Sequence, residues 1–240
     1  MTTVIAHRGY SAKFPENTPL AFQEALKAGA NGIELDVHYS ADQAIVICHD
    51  ETVDRTSNGK GLIKELSLDQ LKALDFGNAN HYGKSDTGIW TLDEFLAWAS
   101  DYPELLINIE IKNNIFAYEG IVKDVAALLD KYERWETVII SSFNHQTIKK
   151  MQEVNRQARL GFLVADTLLN PEEYCYKYGV TNYHPAYFSV NREDIQVLTA
   201  AGVAVNTWTV NKVEDMQTLS DIGVTAVITN EVSLALDVLA

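Results

Sequence analysis

Short apolar runs alternate with helical patterns along most of the chain, and this alternation restricts the fold more than any other feature. Strand-like runs lie at residues 4–6, 33–37, 105–111, 137–141, 159–164, 182–188, 203–208 and 225–229. Helical patterns lie between most of them, at residues 119–131, 145–154, 191–201 and 212–222. Such alternation favours a parallel sheet, and eight units favour an α/β fold closed into a TIM (β/α)8 barrel. An open doubly wound sheet is the competing architecture, but the first strand–helix junction lacks the G-x-G-x-x-G pattern of a dinucleotide fold.

The first helix has recognisable boundaries. Thr18 is a suitable N-cap, Pro19 suits the first helical position, and Gly29 suits the end of the helix. Between them, Phe22 and Leu26 lie on one helical face, as expected of a helix that packs against a sheet.

One segment interrupts the repeat, between residues 40 and 100. Residues 44–48 predict an extra strand, residues 67–74 a short helix, and residues 91–99 an outer helix of the barrel. We therefore predict a small insertion after the second strand, at about 45–88. A length of 240 residues suits one barrel. With no linker-like tract in the sequence, we predict a single domain over residues 1–240.

The charge and apolar composition exclude several classes of partner. A formal net charge of −14 disfavours nucleic acid and anionic membranes. The sequence has no apolar run of about 18 residues, and its N-terminus does not resemble a signal peptide, so we expect a cytoplasmic protein without stable membrane insertion. Cys48 and Cys175 are too few for a disulfide framework and are expected to be reduced.

The second and third strands of the predicted barrel each have one apolar and one polar face, because side chains alternate along a strand. The apolar faces comprise Ile33, Leu35, Val37, Ile107, Ile109 and Ile111. The polar faces comprise Glu34, Asp36, His38, Asn108, Glu110 and Lys112. If the apolar faces pack against the helices, three carboxylates point into the barrel near the C-terminal strand ends, where barrel enzymes place their active sites.

These three carboxylates predict a metal site. Burying Glu34, Asp36 and Glu110 together without a cation would cost several kcal/mol and would raise their pKa values. Oxygen ligands suit a hard divalent ion, Mg²⁺ or Ca²⁺, better than Zn²⁺. The alternative is a solvated polar face on each strand. Two such strands in one barrel favour the metal.

Other polar residues at predicted strand ends could perform acid–base or anion-binding chemistry. His7 ends the first strand and His49 ends the extra strand, and histidine suits proton transfer near neutral pH. Arg8 and Lys112 could bind phosphate oxygens, and Trp208 could form a wall of the pocket. The alternatives are structural histidines, surface salt bridges and a core aromatic residue. No comparable context surrounds His38, His81, His145 and His184, which we interpret as structural.

Taken together, these motifs resemble the glycerophosphodiester phosphodiesterases. They occur in family order from residue 7 to about residue 230: His7-Arg8-Gly9, Pro15-Glu16-Asn17-Thr18, Glu34-Leu35-Asp36-Val37, His49-Asp50, Arg55-Thr56-Ser57-Asn58-Gly59, Glu110-Ile111-Lys112, Ser142-Phe143 and Trp208-Thr209-Val210-Asn211. Each motif is weak alone, but the ordered set is specific.

The resemblance implies a metal-dependent enzyme that hydrolyses glycerophosphodiesters to an alcohol and sn-glycerol 3-phosphate. It assigns acid–base catalysis to two histidines, His7 and His49. It assigns metal binding to three carboxylates, those of Glu34, Asp36 and Glu110. It assigns substrate contacts to four further residues, Arg8, Lys112, Asn17 and Trp208.

One departure from the family pattern lies near the C-terminus. The family usually has Thr-Asp followed by an aromatic residue and Pro, whereas this chain has Thr229-Asn230-Glu231-Val232. We therefore assign no contact to the loop after the eighth strand.

Three rival functions remain open. They are a lysophospholipase D acting on larger lipids, a barrel that binds a phosphodiester without turnover, and a metal-dependent amidohydrolase. The last usually has a His-x-His pair on the first strand, which here ends His7-Arg8-Gly9.

Overall fold

The computed structural model describes residues 2–77 and 87–240. These residues contain nine strands in one sheet: β1 (Thr3–His7), β2 (Gly32–Tyr39), β3 (Ile45–Ile47), β4 (Leu106–Ile111), β5 (Val138–Ser142), β6 (Arg159–Val164), β7 (Asn182–Pro185), β8 (Ala204–Thr207) and β9 (Ala226–Thr229). All except β3 pair in parallel, and β1 pairs with both β9 and β2. The sheet therefore closes into the predicted eight-stranded barrel, and the open doubly wound alternative is excluded.

Helices connect the strands and surround the barrel. They are α1 (Pro19–Ala28), α2 (Leu68–Lys72), α3 (Leu92–Ala99), α4 (Ile121–Lys131), α5 (His145–Val154), α6 (Pro171–Tyr178), α7 (Arg192–Ala200), α8 (Val213–Ile222) and α9 (Val232–Leu239). Short 3-10 helices occur at Ile63–Glu65 and Tyr187–Ser189. Among the described residues, none of the helices combines the length and apolarity needed to cross a bilayer.

Two helices, α6 and α9, were not predicted, for opposite reasons. Helix α6 buries only Pro171 and Cys175, so its sequence has little apolar periodicity. Helix α9, with the sequence VSLALDVL, is short and mostly apolar, and only Ser233 and Asp237 mark its polar face.

The caps of α1 are as predicted. The Thr18 side chain accepts a hydrogen bond from the Ala21 amide, and Pro19 is the first helical residue. Gly29 ends the helix with a φ of 96°, a left-handed conformation that favours glycine. The chain then turns directly into β2.

The helix-facing core confirms the predicted strand parity. Ile33, Leu35 and Val37 are fully buried with Phe22 of α1 and Phe95 of α3 in one apolar cluster. Ile107, Ile109 and Ile111 of β4 belong to the same cluster. The intervening residues of β2 and β4 must therefore face the barrel interior.

The segment between β2 and α3 builds a layer over one side of the barrel. Strand β3 runs antiparallel to the end of β2, with Val37 opposite Ile47. Behind β3 lies a separate apolar cluster formed by Val46, Cys48, Val53, Ile63, Leu71, Phe76 and Ile89. This packing fixes the residues that follow β3 near the barrel mouth. His81 lies outside the described residues.

Candidate active site

A pocket with about 410 Å³ of empty space opens at the C-terminal ends of the barrel strands. Six of the predicted site residues line it: His7, Arg8, Glu34, His49, Glu110 and Trp208. The remaining three are joined to this set by direct contacts. Asp36 lies 3.4 Å from Arg8 Nε, Asn17 donates a hydrogen bond to Asp36 at 2.9 Å, and Lys112 lies 3.2 Å from a Glu110 oxygen. All nine predicted residues therefore belong to one constellation.

The carboxylates of Glu34, Asp36 and Glu110 form the acidic centre of this constellation. One oxygen from each lies within 4.8 Å of the others, and all three residues are buried. Pairing of β2 with β4 sets this arrangement, because Asp36 is directly opposite Glu110 and Glu34 is opposite Asn108. Within residues 2–77 and 87–240, no other acidic, histidine or cysteine cluster has a geometry suited to a metal ion.

Burial makes the acidic centre electrostatically unfavourable. Burial and the neighbouring Asp36 charge raise the pKa of Glu34 well above its usual range and raise that of Glu110 to about 7. Burial would also raise the pKa of Asp36, but Arg8, followed by His49 and Lys112, outweighs it and lowers that pKa to about 2. A cation among the three carboxylates would remove the tendency of Glu34 and Glu110 to stay protonated.

Two basic side chains approach the acidic centre. Arg8 lies at the end of β1, where its backbone amide donates to Glu34 at 3.0 Å and its Nε lies 3.4 Å from an Asp36 oxygen. Lys112 follows β4 and places its Nζ between Glu110 and the Nε2 atom of His49. Arg8 and Lys112 therefore present positive charge beside the carboxylates, where an anion would meet a bound cation.

The donor set fits a hard divalent ion. It consists of carboxylate oxygens, and two buried amide oxygens nearby, Asn17 Oδ1 and Asn108 Oδ1, have no hydrogen-bond partner within the described part of the chain. A buried oxygen without a donor is costly unless a cation or an ordered water contacts it. Oxygen-only ligation of this kind suits Mg²⁺ or Ca²⁺.

His7 is held from the loop after β9. Its Nδ1 lies 2.7 Å from the Asn230 side-chain oxygen, and its Nε2 lies 3.9 Å from Glu34. Burial, reinforced by the Arg8 charge, lowers the pKa of His7 to about 4. Asn211 fixes Asn230 by accepting a hydrogen bond from its backbone amide at 2.9 Å. The sequence had assigned no contact to Asn230, although its position directly after a barrel strand was a usable signal.

His49 is held by residues of the segment that follows β3. Its Nδ1 lies 2.7 Å from Asp50, and its Nε2 lies 3.1 Å from Lys112 Nζ. The ring of His38 contacts the backbone oxygen of His49 at 3.1 Å. His38 was predicted to be structural, and through this contact it supports the backbone of His49. Because His38 and Asp36 are two positions apart on β2, the sequence indicated that both point to the same face of the strand.

The opposite side of the pocket is apolar. Trp208 and Phe143 both line it and meet edge to face at a ring separation of 5.4 Å. The Trp208 indole donates to the backbone oxygen of His184 at 2.8 Å, which fixes the ring against the wall. Leu163 and Ile228 complete this side. The pocket therefore combines a polar half that suits an anion with an apolar half that suits carbon.

The two remaining described histidines lie elsewhere. His184 is fully buried inside the barrel, where Nε2 contacts the Asn206 amide. His145 begins α5 and contacts Tyr174 and the Leu163 backbone oxygen. Neither is among the residues that line the pocket.

Sequence comparisons agree with the resemblance. The sequence profile of the Glycerophosphoryl diester phosphodiesterase family matches residues 7–234. The chain is 39% identical over 232 residues to a glycerophosphodiester phosphodiesterase of Caldanaerobacter subterraneus subsp. tengcongensis, covering 96% of this chain and 94% of that protein. It is 33% identical over 235 residues to a glycerophosphodiester phosphodiesterase of Bacillus altitudinis, covering 96% and 95%.

Solved structures give the same result for the fold. A phosphodiesterase of Oleispira antarctica, in complex with the product sn-glycerol-3-phosphate, superposes with a TM-score of 0.92 at 26% identity and covers 100% of this chain and 97% of that one. A glycerophosphodiester phosphodiesterase from Thermotoga maritima superposes with a TM-score of 0.79 at 29% identity and covers 99% and 98%.

Proposed function

The chain belongs to the glycerophosphoryl diester phosphodiesterase family, and from this premise we propose that it hydrolyses glycerophosphodiesters to an alcohol and sn-glycerol 3-phosphate with the help of one divalent metal ion. The observation that carries the proposal is the position of Glu34, Asp36 and Glu110 beside two histidines in one pocket. A phosphodiester needs charge neutralisation and proton transfer at the same phosphorus, and this pocket offers both.

Glu34, Asp36 and Glu110 would hold the metal, Mg²⁺ or Ca²⁺. When bound, such an ion supplies charge neutralisation to a non-bridging phosphate oxygen. Arg8 and Lys112 contribute to the same end, because both are largely buried and place positive charge beside the carboxylates. Arg8 can bind two phosphate oxygens at once, whereas Lys112 acts as a point charge.

The two histidines transfer the protons. One imidazole removes a proton from the attacking hydroxyl, which belongs to water or to the substrate's own glycerol. The new P–O bond forms as the bond to the leaving alcohol breaks, and the other imidazole protonates that alcohol oxygen. If the glycerol hydroxyl attacks, this step gives a cyclic phosphate, and water must then open the ring to give sn-glycerol 3-phosphate. His7 and His49 fit these roles because both line the pocket and each is fixed through Nδ1 by a side-chain oxygen. This leaves Nε2 of each ring for proton transfer, with His49 Nε2 3.1 Å from Lys112 Nζ and His7 Nε2 3.9 Å from Glu34.

The substrate is a small molecule with one anionic and one carbon-rich part. The polar half of the pocket suits the phosphate, and Trp208 and Phe143 suit the glycerol or the alcohol carbons. The product found in the Oleispira antarctica phosphodiesterase, sn-glycerol-3-phosphate, has this composition. Asn17 fits a supporting role, since it fixes Asp36.

A lysophospholipase D activity on larger lipids is the second candidate. It is favoured by three strongly exposed apolar side chains on loops at the same end of the barrel. Ile115 follows β4, Leu169 follows β6 and Phe188 follows β7, with exposed fractions of 67%, 93% and 75%. Apolar side chains at the mouth could contact an acyl chain.

A substrate panel separates the two candidates. Purified protein with Mg²⁺ or Ca²⁺ is incubated with glycerophosphocholine, glycerophosphoethanolamine and lysophosphatidylcholine, and the phosphate products are separated. We expect sn-glycerol 3-phosphate from the first two substrates. Turnover of lysophosphatidylcholine alone would replace the first candidate by the second, and turnover of none would leave a phosphodiester-binding barrel.

We also retain two predictions from the sequence as proposals. Residues 1–240 form one domain with an insertion at about 45–88, and the protein acts in the cytoplasm. Antiparallel pairing of β3 with the barrel strand β2 supports the first, and limited proteolysis that leaves one resistant core would test it.

A further inference from the structure

Arg55 joins two carboxylates at the mouth of the pocket. Its Nε and Nη2 donate to both oxygens of Asp50 at 2.7 and 2.9 Å. Its Nη1 and Nη2 also donate to both oxygens of Glu16 at 2.7 and 2.8 Å. One guanidinium therefore makes two bidentate contacts, the strongest geometry available to an arginine and a carboxylate.

Asp50 connects this guanidinium to His49. The oxygen of Asp50 that accepts from Arg55 Nη2 is also the one that lies 2.7 Å from His49 Nδ1. With both carboxylate oxygens held, Asp50 cannot rotate away from the imidazole. The contact to Asp50 in turn directs His49 Nε2 away from Asp50 and towards Lys112.

Glu16 connects the same guanidinium to Arg8. The Glu16 oxygen that accepts from Arg55 Nη2 also accepts from Arg8 Nη1 at 2.9 Å. Glu16 therefore holds the far end of Arg8 while Asp36 lies 3.4 Å from its Nε. A continuous series of side-chain contacts therefore links His49 to Arg8 through Asp50, Arg55 and Glu16. The proposed chemistry does not use these three residues.

We propose that Arg55 is a positioning residue for the reaction, because it holds Asp50 and Glu16 together and thereby fixes both His49 and Arg8. The inference rests on the proposed function of this site. Glu16 lies on the loop between β1 and α1, whereas Arg55 lies in the segment between β2 and α3. Arg55 thus ties that segment to the barrel at the mouth of the pocket.

A lysine in this position cannot replace the arginine. An ammonium is a point charge on a flexible chain, whereas the four contacts of Arg55 need a planar fork with donors in fixed directions. The side chain is also 47% exposed, so a small guanidinium compound can reach the position if the arginine is removed. These properties separate a positioning role from a simple contribution of charge.

The first test compares R55K, R55A and the matched control R192A, whose arginine is exposed on α7. We expect kcat for glycerophosphodiester hydrolysis to fall about 10- to 100-fold in both R55K and R55A, as for loss of other residues that orient catalytic groups. Added guanidinium or ethylguanidinium should restore part of kcat in R55A and none in R55K. R192A should retain the kcat of the unmodified protein.

The second test does not depend on activity. The ring-nitrogen NMR shifts of His49 report whether Nδ1 carries the hydrogen bond to Asp50. We expect this bond to be present in the unmodified protein and weakened in R55K, with thermal unfolding used to verify that the variant is folded. If R55K is unfolded, E16Q provides the same test through the other carboxylate.

The outcomes are distinguishable. Wild-type kcat in R55K, or unchanged His49 signals in a folded R55K and in E16Q, would overturn the positioning role. Absence of turnover in the unmodified protein would instead remove the proposed function, and the NMR comparison would still decide whether Arg55 fixes His49.

Discussion

The two sides of the pocket hold a histidine in contrasting ways. His7 comes from a barrel strand, is largely buried, and contacts the neutral amide of Asn230. His49 comes from the segment beyond β3, is half-buried, and contacts the carboxylate of Asp50. A carboxylate stabilises an imidazolium, whereas an amide beside a buried ring leaves the neutral form favoured. The two rings thus differ in their partner on Nδ1, a neutral amide for His7 and a carboxylate for His49.

The two partners are also fixed by different parts of the protein. Asn230 is fixed by the barrel itself, through Asn211 and the end of β9. Asp50 is fixed by Arg55, a partly exposed side chain from the same segment. We therefore expect changes at Asn230 to act mainly on protonation, and changes at Asp50 to act mainly on orientation.

The largest expected effect follows removal of either imidazole. In His7→Ala and His49→Ala, kcat should fall about 10²- to 10⁴-fold each, the usual contribution of a general acid or base. Steady-state kinetics at saturating metal measures this. His145→Gln is the control, since His145 lies outside the residues that line the pocket, and it should keep kcat. Near wild-type kcat in either alanine variant would remove that histidine from catalysis.

The next largest effect follows neutralisation of the carboxylate partner. Asp50→Asn should lower kcat by about 10²-fold or more, because an amide in place of the carboxylate can bind His49 in the wrong tautomer and orientation. The measurement is kcat against KM, with KM expected to change less than kcat. Asp54→Asn is the control, because Asp54 lies in the same segment and is exposed. Equal kcat in the two variants would mean that His49 does not depend on Asp50 as described.

A smaller effect is expected when the amide partner of His7 is replaced by a carboxylate. In metal-free protein the pKa of His7 is lowered to about 4, first by burial and then by Arg8. Asn230→Asp should raise that pKa by about 1 to 3 units, the effect of an opposite charge in contact. An NMR titration of the His7 ring measures both values. A His7 that titrates near its ordinary value in the unmodified protein would contradict the contrast between the two sides.

The smallest expected effect concerns stability rather than turnover. Burial lowers the pKa of His184 to about 3, against an ordinary value of 6.5. Below pH 6.5 the unfolded chain therefore binds a proton at His184 that the folded protein does not bind. The contribution of His184 to the free energy of unfolding is fully present above that pH and is lost as pH falls towards 3. The loss approaches about 1.4 kcal/mol per pH unit. Urea unfolding between pH 7 and 4 should show a shallower loss in His184→Gln, and an equal slope would contradict this.

Most of the barrel can be predicted from the sequence, because the alternation of apolar and polar residues along a strand is a local pattern. Period-two alternation in β2 and β4 was sufficient to predict that Glu34, Asp36 and Glu110 point into the barrel. In the structure, the pairing of these two strands brings the three carboxylates together. Helices α6 and α9 were not predicted, because α6 buries few residues and α9 is a short helix with only two polar residues.

The supporting contacts of the site could not be predicted in the same way. Asn230 reaches His7 across 223 positions of sequence, and Arg55 reaches Glu16 across 39. Such pairs depend on loop conformations, which strand periodicity does not describe. Asp50 is the exception, since it adjoins His49 in the chain.

The most direct test of the account is restoration of activity to metal-stripped protein. The protein is treated with a chelator and assayed on glycerophosphocholine with no metal, Mg²⁺ or Ca²⁺, in parallel with a Glu110→Gln variant and a Glu153→Gln control from the exposed face of α5. The account predicts release of sn-glycerol 3-phosphate only after a divalent ion is restored, with a much weaker response to the ion in Glu110→Gln and an unchanged one in Glu153→Gln. Full release from the stripped protein, or an unaltered metal response in Glu110→Gln, would contradict it.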